Sequence, residues 1–256
     1  MKLATWNVNG IRARQAQLQD WMERERPDVV CLQEIKATSD QVPAALFETE
    51  GYWYYWHGGK SYSGVGLHVS KTIAPERPAF AHPAFDYENR IATVDLRTVA
   101  GDLTIASVYV PNGGKDFPGK MKFLEAMDAY AASFQAGSPA GSRHLVMMGD
   151  MNVARTDRDV HPKERKPRAI GQLPEERAII ERILSRGLVD VGRALDPDND
   201  GLFTWWAPWR NLRQRNIGWR LDYVLASEAL ASRATACPVQ KDIGTSDHAP
   251  VMATFS

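Results

Sequence analysis

PDVVCLQEIK, residues 27–36, is where the fold can first be read. Val29, Val30, Cys31 and Leu32 form an unbroken apolar run, and Gln33 and Glu34 end it. A short apolar run between polar borders reads as a strand buried on both faces, so each face needs a covering layer. Just upstream, Leu18, Trp21 and Met22 recur at helical spacing within residues 14–25. Pro27-Asp28 stops that helix, because the residue before a proline is biased away from helical backbone. Residues 2–6 give another short apolar strand. The opening unit is strand, helix, strand.

The same alternation continues outward. Residues 64–69, 91–96, 103–110, 144–148, 220–225 and 251–255 read as strands. Met121, Leu124, Met127, Ala131 and Phe134 share one helical stripe. A further helix starts at Pro174 with Glu175 and Glu176 in its first turn. It pairs Ile179 with Ile183 and Ile180 with Leu184, and stops at Gly187. QAGSPAGS, residues 135–142, reads as a flexible loop. Residues 155–169 read as a long, polar, basic surface loop, a kind that is often functional inside a compact domain. Nothing resembles a free linker, so residues 1–256 are expected to form one domain. The helices are too few to cover both faces of one large parallel sheet. Two packed sheets with helices outside fit better.

The chain has 256 residues, 44% of them hydrophobic and 24% charged, with formal net charge +0. That composition permits a sizeable core and argues against wholesale coating of nucleic acid. It leaves room for a local basic face, since the field near a cleft follows charge distribution and not the sum. Of the two cysteines, Cys31 sits in the apolar run as a small hydrophobe and Cys237 precedes Pro238. Neither has metal spacing, and a reducing compartment suits them. The first residues, MKLATWNVNG, lack a signal pattern, and no stretch approaches the ~18 apolar residues of a membrane span. A cytoplasmic protein without membrane attachment is expected.

The informative residues stand where apolar strands stop. Asn7, Asn9 and Gly10 follow the first strand, and Gln33-Glu34 ends the second. Tyr109 precedes Pro111-Asn112-Gly113-Gly114; Gly149-Asp150-Met151-Asn152 follows residues 145–148. Asp222 lies among apolar neighbours, and Ser246-Asp247-His248 opens the last strand. Each alone could be a turn or a cap. A lone carboxylate among apolar residues is costly unless paired, so Asp222 resists that reading. Six such sites together point to chemistry. Glu34, Asp150 and Asp247 are hard oxygen donors, with amide oxygens from Asn7 and Asn152, a set that suits Mg²⁺ or Mn²⁺ and not zinc. Mg²⁺ held by few carboxylates normally meets a substrate phosphate. A carboxylate such as Asp222 could fix the tautomer or charge of His248. Phosphodiester hydrolysis by metal and activated water is the reaction class expected.

WNVNGIRA, PDVVCLQEIK, YSGVGLHV, YVPNG, MGDMNVA, LPEER, GWRLDYVLAS and SDHAPV, in that order along the chain, resemble the exonuclease III and apurinic/apyrimidinic (AP) endonuclease family of the endonuclease/exonuclease/phosphatase superfamily. The resemblance implies an α/β fold, a four-layered sandwich of two packed mixed β-sheets flanked by helices. It implies hydrolysis 5′ to abasic sites in duplex DNA, often with 3′→5′ exonuclease and 3′-phosphatase activity; a monomer is expected. By the same resemblance Glu34 is the main metal ligand, and Asn7 holds metal or supports Asp150. Asp150 is the base for the attacking water, and Asn152 hydrogen-bonds the developing phosphorane. His248 stabilises phosphate charge and is oriented by Asp222; Asp247 binds metal. Tyr109 contacts the phosphate or assists the leaving group. The wider metal set is Asn7, Glu34, Asp150, Asn152, Asp247 and His248.

WWAPWRNLRQRNIGWRLDY, residues 205–223, is rich in tryptophan and arginine with no acid before Asp222. Trp206 is expected in the core. By resemblance, Trp205 and Trp219 wall a pocket for a flipped-out abasic sugar. Trp209 and Lys115 enter the duplex from opposite sides, Asn112 contacts DNA, and Arg210, Arg213 and Arg215 hold phosphates. One departure stands out. Relatives carry asparagines before the LPEER-like motif, whereas residues 153–198 contain none. Lys163, Arg165, Lys166 and Arg168 are the substitutes to consider there, beside the plainer reading of a solvated loop. Two other functions share this fold: a hydrolase of RNA or small phosphoesters, and an inactive nucleic-acid-binding regulator. The GWRLDY motif and the aromatic, basic run argue against a small substrate. The complete set Glu34, Asp150, Asn152, Asp222, Asp247 and His248 argues against inactivity.

Overall fold

The structure, a computed structural model, describes residues 1–43, 46, 51–98, 101–136 and 143–256. The expected loop at 135–142 lies mostly outside the described residues. One sheet has the order β11-β12-β1-β2-β4-β3, with β1 Lys2–Asn7, β2 Val29–Gln33, β3 Tyr52–His57, β4 Val65–Ser70, β11 Ala234–Ala236 and β12 Val251–Phe255. The other has the order β5-β6-β7-β8-β10-β9, with β5 Ala79–Ala81, β6 Ile91–Thr98, β7 Gly101–Tyr109, β8 Arg143–Asp150, β9 Leu188–Asp190 and β10 Asp222–Ser227. In each sheet one central pair is parallel, β1 with β2 and β7 with β8, and the other pairs are antiparallel. Both sheets are therefore mixed.

Strand β2 shows why the layers form. Its side chains alternate, as a pleated strand requires. Val29 and Cys31 join the core between the sheets, with Val65, Leu67, Ile105, Val146, Met148 and Val224. Val30 and Leu32 face the other way, onto Leu18, Trp21 and Met22 of helix α1 (Ile11–Glu25). The outer face of the second sheet is covered by helix α2 (Phe117–Ala136) and helix α3 (Pro174–Leu184) through Leu124, Met127, Ile179 and Ile183. Helix, sheet, sheet, helix is the four-layered sandwich that the motifs implied. No helix among the described residues is long and apolar enough to cross a membrane.

Differences from the sequence reading are local. Helix α1 starts at Ile11, not residue 14, because the Ile11 N–H is taken by the Ile35 carbonyl. Strand β3, with sequence YWYYWH, shows no polar–apolar alternation and went unread. The loop at 155–169 is not all surface. Asp159 and Val160 are buried, and Asp159 pairs with Arg220 and Arg193. Arg220 itself lies outside β10, in a two-pronged ion pair to Asp190.

Candidate active site

Sheet register gathers the strand-end residues. In the second sheet Tyr109 pairs with Asp150 across β7 and β8, and Asp150 pairs with Asp222 across β8 and β10. Three functional side chains thus occupy one row. In the first sheet Asn7 stands beside Gln33, one residue before Glu34. The two rows face each other at the same edge of the sandwich. The Asn7 amide donates to Asp150 across the gap at 2.9 Å. Gln33 bridges the sheets deeper down, donating to the Ser107 hydroxyl and accepting from Thr5. At the end of β8, Gly149 has φ 144, and a side chain there would meet the Val108 carbonyl at 2.0 Å. Only glycine lets β8 deliver Asp150 this close to β7.

Asp150 is 1% exposed and held at both oxygens. One accepts the Asn152 backbone N–H at 2.9 Å; the other accepts the amides of Asn7 and Asn152. Asn152 stands in the left-handed region at φ 49 and also donates to the Val110 carbonyl. His248 lies between two carboxylates. Its Nδ1 is 2.8 Å from Asp222 and its Nε2 3.8 Å from Asp150. Burial opposes charge on the ring, yet Asp222 and Asp150 outweigh it and lift the His248 pKa to about 10. The two carboxylates favour the protonated ring. Burial, and then the Asp222 charge, push the Asp150 carboxyl up to about 7 against the pull of His248.

Asp222 is steadied by Thr204, a residue that no sequence signal marked. The buried Thr204 hydroxyl donates to Asp222 at 2.6 Å and accepts the N–H groups of Leu221 and Asp222. Glu34, with φ 50, turns its carboxylate to the Tyr109 hydroxyl on one side and Lys36 on the other. Burial and the Glu34 charge keep that phenol protonated. Asp247 accepts from Asn9 at 2.8 Å and from the Trp205 indole at 2.9 Å. Burial raises its carboxyl, but His248 and these donors reverse the shift and leave it lowered.

Glu34, Tyr109, Asp150, Asn152, Trp205, Asp247 and His248 line a cavity of about 270 Å³ with Asn112, Ile170, Trp219 and Leu221. Trp205 and Trp219 meet edge to face, 5.7 Å between centroids, and form one wall. The lining holds Glu34, Asp150, Asp247 and His248, but no lysine or arginine. Asp150, Asp222 and His248 bring ligand atoms within 4.8 Å of one another, a cluster that could hold a metal ion.

The expected DNA-facing residues lie farther out. Lys115 and Asn112 border an adjoining groove with Tyr62 and Tyr87. Trp209 is 60% exposed, and Arg210 and Arg215 are exposed beside it. Trp206 is buried, as expected. Arg213 turns inward: its guanidinium donates to the Lys241, Ile243 and Ser246 carbonyls and stacks over Trp206, so three of its N–H groups brace the chain. Asn7 has its amide nitrogen on Asp150 and its oxygen on the Asn9 N–H.

Known proteins share this fold. The profile of the Endonuclease/Exonuclease/phosphatase family matches residues 4–248. The chain is 34% identical over 270 residues to exodeoxyribonuclease III of Haemophilus influenzae, covering 100% of both. The solved 3′ phosphatase NExo from Neisseria, bound to a product DNA hairpin, matches with TM-score 0.87 at 29% identity, over 100% of this chain and 99% of that one. An AP endonuclease from Archaeoglobus fulgidus matches with TM-score 0.83 at 29% identity, over 100% and 99%. Fold, site and sequence agree that the chain belongs to the endonuclease/exonuclease/phosphatase family, in its exonuclease III and AP endonuclease branch.

Proposed function

We propose that this protein is a metal-dependent DNA-repair nuclease. It hydrolyses the phosphodiester 5′ to abasic sites in duplex DNA and acts on 3′ ends as a 3′→5′ exonuclease and 3′-phosphatase. The observation that carries this reading is the buried Asp150, fixed by Asn7 and Asn152 and set beside the His248 imidazolium, under a tryptophan-walled cavity.

The donor set fits a hard divalent cation. Three carboxylates line the cavity without a basic side chain other than His248. The Asp150 pKa is raised by burial and by neighbouring carboxylates, Glu34 among them, so the site gains from a cation that lets all of them ionise. Glu34 and Asp150 would hold Mg²⁺ or Mn²⁺, with Asp247 adding negative charge and Asn152 an amide oxygen. His248 serves better as a proton-bearing donor than as a ligand, because both ring nitrogens face carboxylates. Bound there, the ion would neutralise charge on the scissile phosphate.

The chain's own groups divide the remaining work. Asp150 orients the attacking water and takes its proton. The imidazolium of His248, held by Asp222 and Thr204, and the Asn152 amide meet charge that grows on the phosphate oxygens. The Tyr109 phenol, still protonated, stands ready for the phosphate or the leaving oxygen. Trp205 and Trp219 receive the flipped sugar; Trp209, Arg210, Lys115 and Asn112 hold the duplex. Two free cysteines suit a reducing, cytoplasmic setting, and we read the working form as a monomer.

The test is cleavage of a duplex carrying one synthetic abasic site, beside undamaged and 3′-phosphate duplexes, with Mg²⁺ and with EDTA. Incision at the abasic site that EDTA abolishes is expected. An intact abasic duplex alongside fast cleavage of a simple phosphoester would defeat the repair reading.

A further inference from the structure

Lys120 and Glu176 form an ion pair in which both side chains are 0% exposed. The chemistry above makes no use of it. Stability alone is a weak reason for such a pair, since stripping water from both ions offsets their attraction. Its surroundings suggest another use. Lys120 Nζ also donates to the backbone carbonyls of Asn152 at 2.7 Å and Asn112 at 3.3 Å. Glu176 accepts the N–H groups of Gly171 at 2.7 Å and Leu173 at 3.1 Å. Two of the ammonium's three donors go to these carbonyls, and its charge lies in ion-pair contact with Glu176 Oε1.

Three loops therefore meet on one pair. The loop after β7 brings Asn112, the loop after β8 brings Asn152, and residues 171–173 lead into α3. Each carries a catalytic or cavity group: the Asn112 and Asn152 amides touch each other at 3.3 Å, and Ile170 lines the cavity. The packing leaves no slack. A Cβ on Gly113 would meet Lys120 Cδ at 2.8 Å, and one on Gly171 would meet the Asn152 carbonyl at 3.1 Å. Asn152 in turn holds Asp150 through its backbone N–H and its amide.

We propose that the Lys120–Glu176 pair is a positioning device for phosphodiester hydrolysis, fixing Asn152, Asn112 and, through Asn152, Asp150. The proposal rests on the nuclease reading. Neither residue touches substrate. The pair acts by holding donors where transition-state charge appears, and small misplacements of such groups are expensive.

Lys120→Met removes both carbonyl bonds and the ion pair at once, whereas Glu176→Gln keeps an oxygen for the two N–H groups and removes the charge and the acceptor that face Lys120. For a variant that melts cooperatively and binds duplex DNA, kcat should fall roughly ten- to a hundredfold in Lys120→Met, with KM within about threefold. Glu176→Gln should show the same split, with a smaller fall. If Lys120→Met does not fold, Glu176→Gln decides alone. Wild-type kcat in the folded variants, or a raised KM with kcat unchanged, overturns the proposal. A wild-type protein that cleaves no duplex overturns the nuclease reading and this role together; a cleaving wild type with unaltered variants overturns only the pair's role.

Discussion

At the scale of single residues, Asp150 is held by donors and pressed by anions at once. Asn7 and Asn152 supply N–H groups, while Asp222 and Glu34 add negative charge nearby. Such opposing environments separate an acid from a base within one pocket. His248 lies on the acid side, with its pKa lifted to about 10, and Asp150 on the base side. Asp150→Asn should therefore lower kcat by at least about a hundredfold while duplex affinity stays within a few fold. Single-turnover cleavage and a binding titration check this; a variant that still turns over at the wild-type rate would remove Asp150 as the base. The types of these residues were legible in the sequence, because carboxylates and amides stood where apolar runs stopped. Thr204 was not. A threonine between Phe203 and Trp205 carries no signal until β10 lies beside it.

At the scale of elements, a buried charge network ties the 155–169 loop to the end of β9 and to the chain just before β10. Arg220 reaches Asp159 at 2.7 Å and Asp190 at 2.7 and 2.8 Å, and Arg193 adds a second bond to Asp159. Burial raises the Asp159 carboxyl, but Arg220 and Arg193 overcome that and hold its pKa at about 2, below the ordinary 3.8. A carboxyl depressed on folding stabilises the fold above its unfolded pKa and loses that effect as pH falls toward the folded value. The depression corresponds to about 2 kcal/mol at neutral pH, all of it lost well below the folded pKa. Urea unfolding of the wild type and Asp159→Asn should show the stability gap narrowing by about 1 kcal/mol between about pH 6 and about pH 3. A gap independent of pH would mean that Asp159 keeps the same proton affinity when unfolded. The sequence showed the loop as basic and exposed, since it cannot reveal that Asp159 finds partners 34 and 61 residues away.

At the scale of the whole molecule, zero net charge hides an uneven distribution. Lys115, Lys163, Lys166, Arg168, Arg210 and Arg215 are exposed, while the carboxylates that face the cavity are half-buried or buried. Affinity for duplex DNA should fall steeply with salt, because bound phosphates release counterions. Arg210→Ala should lower the slope of log affinity against log salt by about one, the share of one phosphate contact. Arg213→Ala should leave the slope unchanged and lower the melting temperature, because that side chain is bound to three carbonyls. Equal slopes for wild type and Arg210→Ala would remove Arg210 from the DNA face. By itself the sequence determined the central strands and the longer helices of the core, through apolar runs and helical stripes such as residues 29–33 and 121–134, but not β3, β5, β9 or β11. It also determined the chemical character of the site, because carboxylates, amides and a histidine at the ends of apolar strands form a hard-donor set suited to a divalent cation and a phosphate. Only the tertiary structure decided which side chains meet. Register across β7, β8 and β10 put Tyr109, Asp150 and Asp222 in one row, and packing of the sheets brought Asn7 to Asp150. The same packing sealed Lys120 against Glu176 and turned Arg213 inward. Hydrophobic periodicity is local and survives in the sequence; a hydrogen bond between residues 143 positions apart exists only after the layers close.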